Sequence, residues 1–151
     1  MPEFTSHMER ALTEAGAAAR RGETPVGAVV AGPGGAVLAA AGNRVREMRD
    51  PSAHAEMLAL RAAAAATGSE RLTGCDLYVT LEPCPMCAGA ISLARIRRLY
   101  YGAADPKTGG VEHGARVFAQ PTCHHAPEVY GGIAEAECAA LLRRFFQLRR
   151  E

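Results

Sequence analysis

Three side chains with metal-binding chemistry lie in two short segments, His54-Ala55-Glu56 and Pro83-Cys84-Pro85-Met86-Cys87. One imidazole and two thiolates are donors that a zinc ion collects, and zinc favours four-coordinate tetrahedral surroundings. Three protein donors leave a position for water, the catalytic arrangement rather than the structural one. Glu56 is then free to serve as base: the ion lowers the pKa of its water, the carboxylate takes the proton, and hydroxide adds to an electrophilic carbon. Alone, Cys84 and Cys87 would fit a redox pair or two buried thiols equally well. The His-x-Glu segment upstream turns the reading toward metal.

Elements must bring these residues together. Both segments sit at predicted helix starts, where unpaired backbone N–H groups and the positive end of the helix dipole favour thiolates. Residues two apart in a regular helix point about 200° from one another. His54 and Glu56 can therefore face one ion only across a non-helical first turn. Apolar spacing predicts a helix from Phe4 to about Arg20, ended near Gly22. Pro25 to Ala31 and Ala36 to Ala40 read as a hairpin around Gly32-Pro33-Gly34-Gly35. Ala53 to Thr67 reads as a helix opened by Asp50-Pro51-Ser52 and stopped at Gly68. Cys75 to Leu81 predicts a strand, Pro83 to about Ala94 a helix, and Ile96 to Tyr101 a further strand. Gly102 to His125 reads as mostly loop, and Ala134 to Arg149 as an amphipathic closing helix. Alternating helices and strands predict an α/β domain with a mixed sheet between helices.

The whole chain limits what this site can belong to. Its 151 residues, 48% of them apolar, suit one domain over 1–151 with a proper core. With 17 Lys and Arg against 16 Asp and Glu, the net charge of +1 exerts no global pull on nucleic acid or membrane. No run approaches the roughly 20 apolar residues that span a bilayer, and the first residues have no basic segment followed by an apolar run. Five cysteines, two of them spaced Cys-x-x-Cys, suit reduced thiols and a metal, which predicts a cytoplasmic protein without a membrane partner.

The His-x-Glu and Pro-Cys-x-x-Cys pattern is the signature of zinc nucleobase deaminases. The resemblance extends through GETPVGA (22–28), Asn43-Arg44, DPSAHAEMLALR (50–61), LYVTLEPCPMCAGA (77–90), RIRR (95–98), YGAADPKTG (101–109) and ECAALLRRFF (137–146). On these segments the chain resembles the bacterial tRNA-specific adenosine deaminases of the cytidine deaminase-like superfamily. The resemblance implies a three-layer α-β-α fold with a mixed sheet of about five strands, one Zn²⁺ per subunit and a homodimer. It also implies deamination of adenosine to inosine at the wobble position of tRNA, with the anticodon stem-loop as partner. By motif position it implies His54, Cys84 and Cys87 as zinc ligands and Glu56 as the catalytic proton shuttle. Asn43 would read the purine edge, Val26 and Ala55 would bind substrate at the pocket, and Asp105 and Lys107 would meet flanking nucleotides. The segment 111–125 departs from the Ser-Leu-containing run commonest in the family, and Pro106 stiffens the backbone between Asp105 and Lys107.

Two other functions stay open on the residues alone. The zinc core would equally serve a small-molecule deaminase acting on guanine, cytosine or a nucleoside, and the fold could persist in an RNA-binding protein without activity. Cys75 and Cys138 read as buried structural thiols. Cys123, His124 and His125 are too close in sequence to converge easily on one ion, and His124 and His125 read as packing or substrate contacts. Arg143, Arg144, Arg149 and Arg150 beside Phe145 and Phe146 read first as the two faces of the last helix, with RNA contact as the lesser alternative.

Overall fold

The structure, a computed structural model, describes the backbone of residues 2–150 and the side chains of residues 7–149. Phe4 and Arg150, used in the helix and charge readings above, have side chains outside that range. The strands are β1 (Gly27–Ala31), β2 (Val37–Gly42), β3 (Asp76–Leu81), β4 (Arg98–Ala103) and β5 (Glu128–Tyr130). They form one sheet in the order β2-β1-β3-β4-β5. β1 is antiparallel to both β2 and β3, whereas β3, β4 and β5 run parallel. The helices are α1 (Pro2–Arg20), α2 (Val45–Met48), α3 (Ala55–Thr67), α4 (Pro85–Leu93) and α5 (Glu135–Arg150).

Successive residues on a strand face opposite sides, and here both sides are buried. Ala28, Val30, Leu77, Val79 and Leu99 point into one core with Ala59, Leu60 and Ile91 from α3 and α4. Val29, Ala31, Tyr78 and Tyr100 point into another with Met8, Ala11 and Cys138 from α1 and α5. This double burial accounts for the continuous apolar runs of β1 and β3 and yields the three layers. Cys75 and Cys138 are both buried, as expected. Among the described residues no helix is long and apolar enough to cross a membrane.

α1 crosses β1 closely enough that a Cβ on Gly27 would lie 1.9 Å from the carbonyl oxygen of Ala11. A backbone atom cannot yield as a side-chain tip can, so we predict that Gly27→Ala costs about 3 kcal/mol through forced separation of helix and strand. Denaturant unfolding measures this, and a loss below about 0.5 kcal/mol would show that α1 slides freely.

The structure differs from the sequence reading in several boundaries and in two short elements, α2 and β5. The strand expected at Ile96 starts at Arg98 instead, because Arg95 takes a left-handed conformation (φ 64°) and drops Ile96 into the core before the sheet begins. The helix expected from Pro83 starts at Pro85, with Cys84 as its N-cap. α2 and β5 carry no periodicity of their own, being four and three residues long. They are held by distant partners: α2 by Glu23, and β5 by pairing with β4 and the stacking of Tyr130 on Tyr100 at 5.2 Å.

Candidate metal centre and active site

His54 is the N-cap of α3 and Cys84 the N-cap of α4, both in extended backbone, and neither side chain caps its own helix. Each is thereby free to turn toward a shared point. Cys87 follows in the first turn of α4 and is fully buried. The Nδ1 atom of His54 lies 3.4 Å from Cys87 Sγ and 3.7 Å from Cys84 Sγ. Zinc bonded to nitrogen and sulfur in a tetrahedron separates those two donors by about 3.6 Å. The donor set therefore suits one zinc ion, and among the described residues it is the one cluster of this kind. The three donors are electrostatically linked. The hydrogen bond from Cys87, assisted by His54, lowers the Cys84 thiol to about 4 against the effect of burial. The same bond, with burial, pushes Cys87 upward, while the bond to Cys84 raises His54.

Glu56 is in the first turn of α3, so it and His54 share one direction across the extended N-cap, the only geometry open to them. The carboxyl is 4% exposed, and its Oε1 is buried without a hydrogen-bond partner. Burial holds its pKa up at about 7. A buried polar atom left unpaired is costly, and such a position is characteristic of a group reserved for a ligand or a proton.

The cluster opens into a cavity of about 460 Å³. His54, Glu56 and Cys84 line it together with Val26, Asn43, Glu82 and Asp105. Asn43 is nearly buried, and its Oδ1 accepts the Ala55 N–H at 2.7 Å. That bond supplies the N-terminal cap of α3 that His54 does not, and it leaves the Nδ2 amide as the donor Asn43 can offer a ligand. Two expected contact residues, Ala55 and Lys107, are not part of the cavity lining. Ala55 packs its side chain into the core, and only its backbone N–H is tied to the site through Asn43. Lys107 lies in a neighbouring groove that shares Asp105, Thr108 and Phe146 with the cavity.

Glu82 is the principal residue missed from sequence. Its side chain is fully buried and gathers the loop that follows β4. Oε1 accepts the Asp105 N–H at 3.0 Å and meets His113 Nδ1 at 2.7 Å; Oε2 accepts the N–H groups of Val111, Glu112 and His113 at 3.2, 2.9 and 3.0 Å. Burial by itself would raise this carboxyl, yet the donors together hold it below its ordinary value. The loop it gathers presses on the ligand turn: a Cβ on Gly110 would lie 2.5 Å from Pro85 N. Only the unusual number of donors could reveal this role, and it forms only on folding. Glu82→Gln replaces one acceptor with a donor facing N–H groups and is expected to cost about 2–3 kcal/mol. Thermal unfolding together with amide exchange at 105–113 checks it; unaltered exchange there would remove the clamp.

Cys123, His124 and His125 do not form a metal cluster. Cys123 Sγ lies 3.4 Å from Ser92 Oγ and 3.2 Å from the His125 carbonyl, while His125 Nε2 pairs with the Ile96 carbonyl at 2.7 Å. The last helix is more than two simple faces, because Phe145, Phe146 and Arg149 line the cavity. Arg149 donates to the Gly22 carbonyl at 2.6 Å and stands over the Phe145 ring at 4.5 Å.

Residues 1–103 match the zinc-binding region of cytidine and deoxycytidylate deaminases. Over 150 residues the chain is 61% identical to a tRNA-specific adenosine deaminase of Agrobacterium fabrum, covering 99% of this chain and 98% of that protein. It is 44% identical to the tRNA-specific adenosine deaminase of Bacillus subtilis over 142 residues, covering 93% and 87% of the two chains. One solved structure, from work on A-to-I editing by tRNA deaminases at the wobble position of transfer RNA, superposes with a TM-score of 0.90 and 62% identity over 91% of this chain and 99% of its own. A guanine deaminase from Nitrosomonas europaea superposes at 0.76 with 26% identity, covering 93% and 83%.

Proposed function

Because the chain belongs to the cytidine and deoxycytidylate deaminase zinc-binding family, and within it to the tRNA-specific adenosine deaminases, we propose that it converts adenosine to inosine at the wobble position (34) of tRNA. The observation that carries the chemistry is the buried Glu56 carboxylate, its Oε1 without a hydrogen-bond partner, beside the His54, Cys84 and Cys87 donors.

His54, Cys84 and Cys87 would hold one zinc ion. When bound, zinc supplies a Lewis acid that makes a water molecule acidic enough to ionise near neutral pH. Glu56 takes a proton from the attacking water, delivers it to the purine ring nitrogen as oxygen adds at the amino-bearing carbon, and passes a proton to the departing amine. Water and adenosine become inosine and ammonia. A carboxyl raised to about 7 suits both directions, since it neither holds nor sheds its proton too firmly. Asn43 orients the base by donating Nδ2 to a purine ring acceptor, and Val26 packs against its face. Asp105 and Lys107, on adjoining grooves, meet flanking nucleotides of the anticodon loop. Asp105 works through the loop it organises, because its carboxylate accepts the N–H groups of Lys107 and Thr108 at 3.2 and 3.0 Å.

The assembly is a homodimer acting in the cytoplasm. Leu93, 69% exposed, and Met86, 39% exposed, place apolar surface on α4 that a second copy would cover. Free thiols throughout suit a reducing compartment.

The deciding experiment offers the zinc-loaded protein an anticodon stem-loop with adenine at the wobble position, beside free adenosine, guanine and cytidine. Inosine formed in the stem-loop alone supports the reading. Turnover of a free base or nucleoside with an untouched stem-loop would move the protein to small-molecule deamination with the same zinc chemistry.

A further inference from the structure

The turn between α1 and β1 lines the cavity through Gly22, Glu23, Thr24 and Val26, and it is tied by hydrogen bonds to the segment that carries Asn43. Glu23 is only 2% exposed, and its two oxygens accept the N–H groups of Arg46 and Glu47 at 3.1 and 2.9 Å. Those N–H groups belong to the second and third residues of α2, whose N-cap Arg44 provides no side-chain cap. A carboxylate from another part of the chain thus does the capping, and its charge suits the positive end of those N–H groups. Arg21 donates from Nη2 to the Asn43 carbonyl at 3.0 Å and lies 3.8 Å from Glu47. Asn43 is held from its other side by its own N–H on the Val26 carbonyl at 3.1 Å. The backbone on both sides of Asn43 is therefore clamped, while its Oδ1 spans to the helix that carries His54 and Glu56.

We propose that Arg21 and Glu23 are positioning residues for base recognition, holding the 43–47 segment so that Asn43 presents its Nδ2 amide to the substrate base. The inference rests on the deaminase reading above, and it assigns these residues to binding rather than to proton transfer. Glu23→Gln keeps the shape but faces one N–H group with another donor. Arg21→Ala removes the bond to Asn43 and the ion pair with Glu47 and serves if the first variant folds poorly.

The test measures kcat and KM on the wobble-adenine stem-loop, zinc content, and amide exchange of the zinc-loaded protein. Glu23→Gln should raise KM about tenfold and Arg21→Ala about threefold, with kcat within about twofold and one zinc retained per chain. Exchange at Arg46, Glu47 and Ala55 should quicken in Glu23→Gln while core amides keep their protection, because the Ala55 N–H reports where the Asn43 side chain sits. Unchanged KM in both variants, or kcat falling in step with zinc, would overturn the proposal, as would wild-type protection at Ala55. Wild-type turnover decides the deaminase reading separately. If wild type prefers a free base, the same ratio is taken on that base, and if it acts on none, exchange at Ala55 alone decides whether the clamp exists.

Discussion

Glu56→Ala is expected to lower kcat by about 10²–10⁴-fold while zinc content stays at one per chain and the melting temperature does not fall. The first part follows from proton traffic: Glu23, Glu82 and Asp105 also line the cavity, but their oxygens accept backbone N–H groups, so removing Glu56, whose Oε1 is unpartnered, leaves the water without a base. The second follows from the ligand set, which Glu56 does not join. The third follows from burial. A carboxyl with an unpartnered buried oxygen is a cost that the folded state carries for function, so deleting it relieves the protein. Glu56→Gln, which keeps the volume, should show the same loss of turnover and separates proton transfer from cavity creation. Activity within tenfold of wild type in both variants would overturn the assigned role.

Cys87→Ser should behave oppositely, losing metal and stability together. If roughly 10–16 kcal/mol of zinc binding is shared among four ligands, each is worth about 3–4 kcal/mol, or about 10²–10³-fold in affinity. A serine hydroxyl at that fully buried position stays protonated and is a poor zinc donor. Elemental analysis after dialysis against a chelator should find wild type loaded and the variant stripped. The melting temperature of wild type should fall on forced chelation toward that of the variant, which should no longer respond. A variant that keeps one zinc and the wild-type melting temperature would remove Cys87 from the ligand set.

The metal donors and the three layers were legible because their signals are local. Ligand spacing, prolines at helix starts and apolar runs in strands each act within a few residues, and the His54–Glu56 relation could be worked out from helix geometry alone. Even the constraint that both must meet across an extended turn appears in the backbone of His54. What escaped depends on partners distant in the chain. α2 is a helix because Glu23 caps it, β5 a strand because Tyr100 and β4 receive it, and Glu82 a clamp because a loop more than twenty residues later converges on it. Lys107 and Ala55 were assigned by motif position, which identifies neighbours in sequence and cannot say which way a side chain turns.

Asn43 has a consequence for how this enzyme could change. Its oxygen secures the helix that delivers His54 and Glu56, and in the proposed function its nitrogen is the group offered to the base. On that proposal one side chain would serve recognition and scaffold together, so a mutation there that altered base preference would also loosen the frame of the metal site. Selection cannot tune the two separately at this position. New substrate preferences should arise first at its neighbours Val26 and Thr108, which share the cavity without holding a helix in place, and Asn43 should be among the last residues to drift as the protein diverges.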